Sequence, residues 1–446
     1  MKKAVLTGCV AALVACFYLA AGAGENPDFI NYKEFKLDNG LRVILSEDHS
    51  VPVVAVDVWY HVGSAYEQEG KSGFAHLFEH MMFQGSQNVG KREHSELVQR
   101  AGGNNNGSTT QDRTNYYQTL PSNRLNLGLW LEADRMKSLA VTPENFENQR
   151  NVVKEERRQR IDNQPYSNAF LASDTMAFDF VPYRHTVIGR MVDLDAGTVE
   201  DAQAFYKNYY TPNNAVLVVV GDIDPNKTMK MVEEYFGGIP RGPDVEPISG
   251  VEPPHTAERR AVIDDKNANV PAIFASYTIP ASTSDDIPAL ELLGKILTDG
   301  ESSRMYNRLV KEEKAAVVVF GGADVRKGPG LFRFVAAANV GVDIAKCEEL
   351  MFAEIERLKS EGIDPKELEK SKVQFKADFV RNRQDVLGKA ETIHDYLYFD
   401  GDLSRMNKDI DRYMAVTNDD IMRVAKSYFT ENNRTVVIAQ PVEKEG

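Results

Sequence analysis

The two halves of this chain end in the same pattern. Tyr-Tyr-Thr-Pro-Asn-Asn at 209–214 leads into a β-branched run, and so does Tyr-Phe-Thr-Glu-Asn-Asn at 428–433. The same spacing of 219 residues relates Thr198 to Thr417, and each of these precedes a helical stretch. A helix with a Thr cap, a polar turn and a strand are therefore predicted twice. Because the period is far longer than the roughly 20–50 residues of a solenoid repeat, the pattern indicates a duplicated domain.

A segment rich in proline and glycine, residues 237–254, separates the two copies and is predicted to be a linker. The predicted domains are residues 24–236 and residues 255–446. Hairpins and clustered helices without strict β-α-β alternation predict the α+β class, with antiparallel sheets. Strands are predicted at 41–45 and 51–60, and helices at 122–139, 144–160, 344–360 and 365–382.

The first 23 residues have the composition of a secretory signal. Lys2 and Lys3 precede an apolar run that ends in the small-residue pattern Ala-Gly-Ala at 21–23. Cleavage there predicts an exported, periplasmic protein with no membrane span. Two alternatives remain: a lipoprotein acylated at Cys16, and an uncleaved anchor. A chain cleaved after residue 23 keeps only Cys347 and can form no internal disulfide.

The charge balance argues against one class of partner. The chain has 52 basic and 66 acidic residues, a formal net charge of −14. Non-specific binding to nucleic acid depends on basic surface that displaces counterions, so no nucleic-acid partner is expected.

The segment His-Leu-Phe-Glu-His at 76–80 carries the chemistry. On a helix, His76 and His80 lie one turn apart on one face, where two imidazoles can bind one Zn²⁺ ion. Glu79 shares that face and is placed to accept a proton from a water molecule activated by the metal. The alternative is a pair of core histidines, but three titratable groups among apolar neighbours are costly to bury without a partner.

A catalytic zinc needs a third protein ligand and an open position. Glu155 and Glu156 are candidates on a later predicted helix, within the charged run Lys-Glu-Glu-Arg-Arg at 154–158. Spacing alone does not choose between them, and such a run is also typical of a solvated helix face.

Taken with its surroundings, the motif resembles that of the inverzincin peptidases, the family of pitrilysin, insulysin and the mitochondrial processing peptidase. The similarity covers nearly the whole mature chain. It includes the segments Trp-Tyr-His-Val-Gly-Ser at 59–64, Gly-Phe-Ala at 73–75, Met-Met-Phe-Gln-Gly-Ser at 81–86, Asn-Gly-Ser-Thr at 106–109 and Leu-Glu-Ala-Asp-Arg-Met at 131–136.

The resemblance implies a choice of third ligand and a fold. Its Val-Val-x-Glu-Glu context matches residues 152–156, so Glu156 is expected to complete the zinc site, with one Zn²⁺ per chain. A supporting Glu of the family is replaced here by Gln149, which is expected to weaken metal binding. Two similar α+β domains are implied, and substrate is expected to add as a strand to a sheet edge formed by Asn106, Gly107, Ser108, Thr109 and Thr110. An ordinary surface hairpin is the alternative for that segment.

The chain departs from the family in its second half. Active relatives carry an Arg and a Tyr that orient the substrate, and the matching positions here are Val310 and Val317. The second half also has no His-x-x-Glu-His motif. A homologous second chain that supplies the missing pair is therefore expected, or otherwise a homodimer. The leading hypothesis is a zinc metalloendopeptidase acting on peptides or unfolded segments; the alternative is a non-catalytic peptide-binding or assembly subunit.

Overall fold

The structure is a computed structural model that describes residues 29–248 and 250–442. The predicted signal segment and Cys16 lie outside the described residues. Cys347 is buried and carries a free thiol.

The first half is built on a six-stranded sheet. Its strands are β1 (Lys33–Lys36), β2 (Arg42–Glu47), β3 (Val53–Tyr60), β4 (Asn104–Thr109), β5 (Thr114–Pro121) and β6 (Ala215–Gly221). Their order across the sheet is β1-β2-β6-β3-β5-β4, which leaves β4 at an edge. All pairs are antiparallel except β2 with β6.

The second half repeats this plan with five strands. They are β7 (Arg259–Asp265), β8 (Ala272–Ile279), β9 (Ala316–Asp324), β10 (Gly330–Ala338) and β11 (Arg434–Pro441), in the order β7-β11-β8-β10-β9. The predicted α+β class and its duplication are confirmed, but the sheets are mixed. The last strand of each half lies between two strands that run in opposite directions, so it must be parallel to one of them.

Helices cover both sheets. They are α1 (Phe74–Met81), α2 (Glu93–Arg100), α3 (Leu125–Ser138), α4 (Pro143–Arg157), α5 (Ser167–Met176), α6 (Met191–Ala196), α7 (Val199–Tyr209), α8 (Pro225–Phe236), α9 (Ile287–Leu297), α10 (Ile344–Glu361), α11 (Pro365–Arg381), α12 (Val386–Asp395), α13 (Ile410–Ala415) and α14 (Asn418–Tyr428). In the described residues, π-helical turns occupy 158–162, 306–312 and 396–400.

The repeat is visible at the helix caps. Thr198 and Thr417 begin α7 and α14, and each forms a reciprocal capping box with the Asp three residues later. The side-chain oxygen of the Thr accepts the backbone N–H of the Asp, which satisfies a donor that the helix leaves free.

The two halves exchange one helix each. Helix α5 of the first half packs on the second sheet, where Ala169 joins a cluster with Phe274 and Val437. Helix α12 of the second half packs on the first sheet, where Ile393 joins a cluster with Val218. These helices are related by the same spacing of 219 residues that relates the two copies in sequence. Each sheet is therefore covered on one face by a helix from the other half.

Between α8 and β7, the described residues form no helix or strand, which agrees with the composition of the predicted linker. The exact domain boundaries stay a prediction. In residues 29–248 and 250–442, no helix combines the length and apolar character needed to span a membrane.

Candidate metal centre

Helix α1 presents its polar side chains on one face. Phe74, Ala75, Leu77, Phe78 and Met81 are buried, and they anchor the helix in the core of the first half. His76, Glu79 and His80 occupy the remaining face and are only partly exposed. The spacing of apolar residues thus forces the two imidazoles and the carboxyl group to the same side.

Helix α4 brings Glu156 to this face. Thr142 caps the helix by accepting the backbone N–H of Asn145, and Pro143 occupies its first position. Glu156 Oε2 lies 3.1 Å from His80 Nε2 and 3.8 Å from His76 Nε2. Its neighbour Glu155 is instead 53% exposed and pairs with Arg158. Of the two carboxylates that the sequence offered, the structure brings only Glu156 to the histidines.

The three side chains fit a zinc ion. Their ligand atoms all lie within 4.8 Å of one another. Around a tetrahedral zinc with bonds of about 2.0–2.1 Å, neighbouring ligand atoms are separated by about 3.3 Å. The distances from Glu156 Oε2 to the two imidazole nitrogens, 3.1 and 3.8 Å, bracket this separation. Two imidazoles and one carboxylate form a donor set typical of catalytic zinc.

The electrostatics of the group suit metal binding. Burial and the neighbouring His80 lower the pKa of His76 to about 4, which keeps the ring in its neutral, metal-binding form. The hydrogen bond with His80 lowers the pKa of Glu156 and keeps it ionised. Glu156 Oε1 also lies 2.7 Å from a guanidinium nitrogen of Arg160, an i,i+4 partner that the sequence analysis did not single out.

The side chain of Glu79 extends from α1 toward the sheet edge. Thr109 donates a hydrogen bond from Oγ1 to Glu79 Oε2 at 2.6 Å. Burial raises the pKa of Glu79 above its ordinary value, and the hydrogen bond from Thr109 opposes that rise. Gly107 lies directly beside the same side chain, since a Cβ at this position would approach Glu79 Cγ to 3.3 Å.

Strand β4 contains Asn106, Gly107, Ser108 and Thr109, and Thr110 follows it directly. The backbone N–H of Thr110 donates to the carbonyl of Arg113, and Thr109 is opposite Thr114. Hydrogen-bonded and non-bonded pairs alternate along an antiparallel ladder, so Gly107 and Thr109 direct their backbone groups away from β5. In the described part of the chain no further strand pairs with this side of β4. The free edge therefore runs past Glu79.

Three other positions from the sequence analysis do not reach the metal centre. Gln149 is buried, but its side-chain amide donates to Asn148. The second ring nitrogen of His76, Nδ1, is buried and has no hydrogen-bond partner within residues 29–248 and 250–442, so Gln149 does not support this ring. Val310 is partly buried against the second core, whereas Val317 is 51% exposed on edge strand β9.

A second cluster, Asp179, Glu252 and His255, also has closely spaced ligand atoms. The atoms that could bind a metal already have hydrogen-bond or ion-pair partners. The two oxygens of Glu252 accept the backbone N–H groups of Asp179 and Phe180, and one also contacts His255 Nε2 at 2.6 Å. Asp179 pairs with Arg259. These contacts describe a structural tie of the linker segment, not a free metal site.

A cavity of about 920 Å³ lies between the halves and is lined by His61, Asp112, Lys327 and Tyr398 among others. None of His76, His80 and Glu156 lines it. The donor set, and not the size of the cavity, identifies the metal centre as the candidate site.

Known peptidases are similar to this chain in sequence. The family model described as "Insulinase (Peptidase family M16)" matches residues 42–186, which include all three candidate ligands. The "Zinc protease PqqE" of Helicobacter pylori is 32% identical over 414 residues, which are 92% of this chain and 93% of that protein. This chain belongs to peptidase family M16. The M16 model described as "Peptidase M16 inactive domain" matches residues 197–375, which contain no His-x-x-Glu-His motif.

Solved structures share the M16 fold. A protease from Helicobacter pylori has a TM-score of 0.88 at 32% identity, covering 93% of this chain and 100% of that one. The periplasmic protease PqqL from Escherichia coli has a TM-score of 0.73 at 18% identity, covering 93% of this chain and 48% of that one. The latter similarity concerns the fold alone, and this chain spans about half of PqqL.

Proposed function

We propose that this M16 protein is a zinc metalloendopeptidase in which His76, His80 and Glu156 hold one Zn²⁺ and Glu79 is the general base. The observation that carries the proposal is the convergence of these three ligands beside a carboxyl group and a free strand edge. The relatives named zinc proteases support the same reaction class.

The metal, the base and the residue that orients the base have separate roles. Zinc, when bound, would act as a Lewis acid and lower the pKa of a water molecule toward about 7. Glu79 accepts the proton from the attacking water. Its partly buried position makes the carboxylate a stronger base, and Thr109 holds one of its oxygens in a fixed direction. Glu156 and the two imidazoles leave Glu79 out of the donor set, so it stays free for proton transfer.

The substrate would bind as an added strand on β4, along residues Asn106 to Thr110. The backbone groups of Gly107 and Thr109 are available at that edge, and they would pair with a peptide of any sequence. Alternate side chains of the peptide would then point toward and away from α1. This arrangement supports action on peptides or unfolded segments, because such a chain can extend along the edge, whereas most strands of a folded protein are already paired.

We also propose that a homologous chain completes the active site. The alternative is that a second copy of this chain does so. Val310 and Val317 provide no donor for the oxyanion, and loss of one such donor costs about 10²–10³ in rate. The fold match to only about half of PqqL supports pairing of two such units. Export to the periplasm agrees with the location named for PqqL, with lipidation at Cys16 as the alternative.

The test separates the metal ligands from the base. Glu156→Gln should lose zinc, and Glu155→Gln on the same helix is its matched control because that side chain faces solvent. Glu79→Gln should retain zinc and abolish peptide cleavage. The assays are metal content and cleavage of a quenched fluorescent peptide, each with and without a paralogous chain. Absence of zinc from the purified protein, or unchanged turnover by Glu79→Gln, would refute the assignment.

A non-catalytic peptide-binding subunit is the second candidate. The apolar residues at Val310 and Val317 and the description of the second M16 model as an inactive domain favour it. Its signature would be peptide binding with no cleavage by zinc-loaded protein, even in the presence of the homologous chain.

A further inference from the structure

The N-terminus of the metal-binding helix α1 is capped by a distant carboxyl group. The residue before the helix, Gly73, has φ +93° and provides no side-chain cap. Glu67 takes this role: its Oε2 accepts the backbone N–H of Gly73 at 2.8 Å, and its Oε1 accepts that of Ala75 at 2.7 Å. Glu67 thereby satisfies two of the donors that a helix leaves free at its first turn.

Glu67 is fully enclosed, with 0% of its side chain exposed. Burial of a carboxyl group is unfavourable unless hydrogen bonds and opposite charge compensate for the lost water. Burial raises the pKa of Glu67 well above its ordinary value, and the backbone donors and the positive end of α1 oppose that rise only in part. His185 Nδ1 approaches Glu67 Oε2 at 3.4 Å and closes the site on a further side. The side chain is therefore held in one place, and it fixes the start of α1 in turn.

The segment that carries His185 also contacts the second metal-binding helix. Arg157, the residue after Glu156, donates a hydrogen bond to the carbonyl of Gly189. Gly189 lies against Gly73, since a Cβ at Gly189 would stand only 2.5 Å from Gly73 Cα. A continuous path thus runs from Glu67 through the segment 185–189 to the end of α4.

We infer that Glu67 is a positioning residue for the metal centre, acting through the start of α1 and through the segment 185–189. This inference rests on the proposed function. Glu67 touches neither the ligands nor the strand edge. It fixes the position and rotation of α1, on which His76 and His80 must face Glu156. Loss of the cap would let the first turn fray and spread the imidazoles away from the carboxylate.

Glu67→Gln tests this role with almost no change in volume. The amide oxygen can accept one of the two backbone N–H groups, but the amide nitrogen cannot accept the other. We expect zinc affinity to fall about 10- to 100-fold, the range seen when groups behind metal ligands are lost. The absorption spectrum of the Co²⁺-substituted protein should change, and kcat should fall while KM stays unchanged, because the substrate strand is not involved.

Asp224→Ala, which removes a helix cap far from the metal centre, is the control. Asp224 also accepts two backbone N–H groups, at the start of α8, but it has no contact with the metal centre. It should lower the thermal midpoint without changing zinc affinity or the Co²⁺ spectrum. Arg157→Gln is a second test on the same path, should Glu67→Gln fail to fold, and it should weaken zinc binding in the same direction.

The outcomes are distinguishable. If the wild-type protein binds no zinc, the proposed function itself fails. If the wild type binds zinc and cleaves peptide, while Glu67→Gln and Arg157→Gln keep the wild-type zinc affinity and Co²⁺ spectrum, the positioning role is overturned and the proposed function stands.

Discussion

Replacing Gly107 by alanine would place a methyl group between the strand edge and the proposed base. The new Cβ would lie 3.1 Å from the Asn115 carbonyl oxygen, 3.1 Å from Tyr116 Cδ1 and 3.3 Å from Glu79 Cγ. The first two neighbours are a backbone atom and a fully buried ring, so neither can move easily. Glu79 has a flexible side chain and will yield by a few tenths of an ångström.

The magnitude of the effect follows from this displacement. A shift of 1 Å at a reacting group can cost about 10²-fold in rate, so a few tenths of an ångström should cost roughly 3- to 10-fold in kcat/KM. The displacement also weakens the hydrogen bond from Thr109. Zinc content should stay at the wild-type level, because no candidate ligand touches Gly107. The assay is steady-state cleavage of a quenched fluorescent peptide, together with metal analysis of the same sample.

Gly128→Ala provides the control. Its Cβ would be equally crowded, at 3.1 Å from Leu120 Cδ1 and 3.2 Å from Val56 Cγ2, but it lies in the core away from Glu79. Overpacking should cost each variant about 1–3 kcal/mol, and at Gly128 the higher helix propensity of alanine should offset about 1 kcal/mol of that cost. Equal activity of the two variants would refute the argument that the chemistry takes place at the edge of β4.

Three further outcomes are expected. Removal of zinc by a chelator should lower the thermal midpoint, because free zinc at about 100 times Kd stabilises the folded protein by about 2.7 kcal/mol. Ile393→Ala on α12 should destabilise the protein by about 2–5 kcal/mol in urea unfolding, whereas Val373→Ala, at a site 58% exposed, should change stability by less than about 0.5 kcal/mol. Although burial opposes it, hydrogen bonding to Lys389 and Ser50 lowers the pKa of Asp48 from 3.8 to about 2. This tie between the halves contributes up to about 2 kcal/mol above pH 4 and is lost as pH falls through about 2. Asp48→Asn should therefore differ from wild type in urea unfolding at pH 7 and differ less at pH 3.

The sequence predicted those features that depend on local spacing. His76, Glu79 and His80 lie within five residues, so helical periodicity alone brings them to one face. Glu156 is far away in the chain, and no local pattern separates it from Glu155. Its selection depended on the family resemblance, and the geometry agrees with that choice. The position of Glu156 relative to the histidines is a property of tertiary packing.

Glu67 shows why other parts were missed. It caps a helix that begins seven residues later, and its role depends on a turn of the chain that periodicity does not reveal. One signal was present: α1 begins after Gly73 with no Ser, Thr, Asp or Asn at its cap, so its donors required a remote acceptor. The parallel strand pair in each sheet was missed for a similar reason, since the insertion of β6 and β11 between earlier strands is a long-range event.

The exchanged helices α5 and α12 restrict the movement of the two halves relative to each other. A hinge motion that separated the halves would have to detach both helices from the sheets they cover, and it would expose two apolar faces to solvent at the same time. The two halves of one chain are therefore expected to move as a single unit. In the proposed two-chain enzyme, a peptide would therefore reach the edge of β4 through movement between the chains, and the assembly would control the timing of its admission.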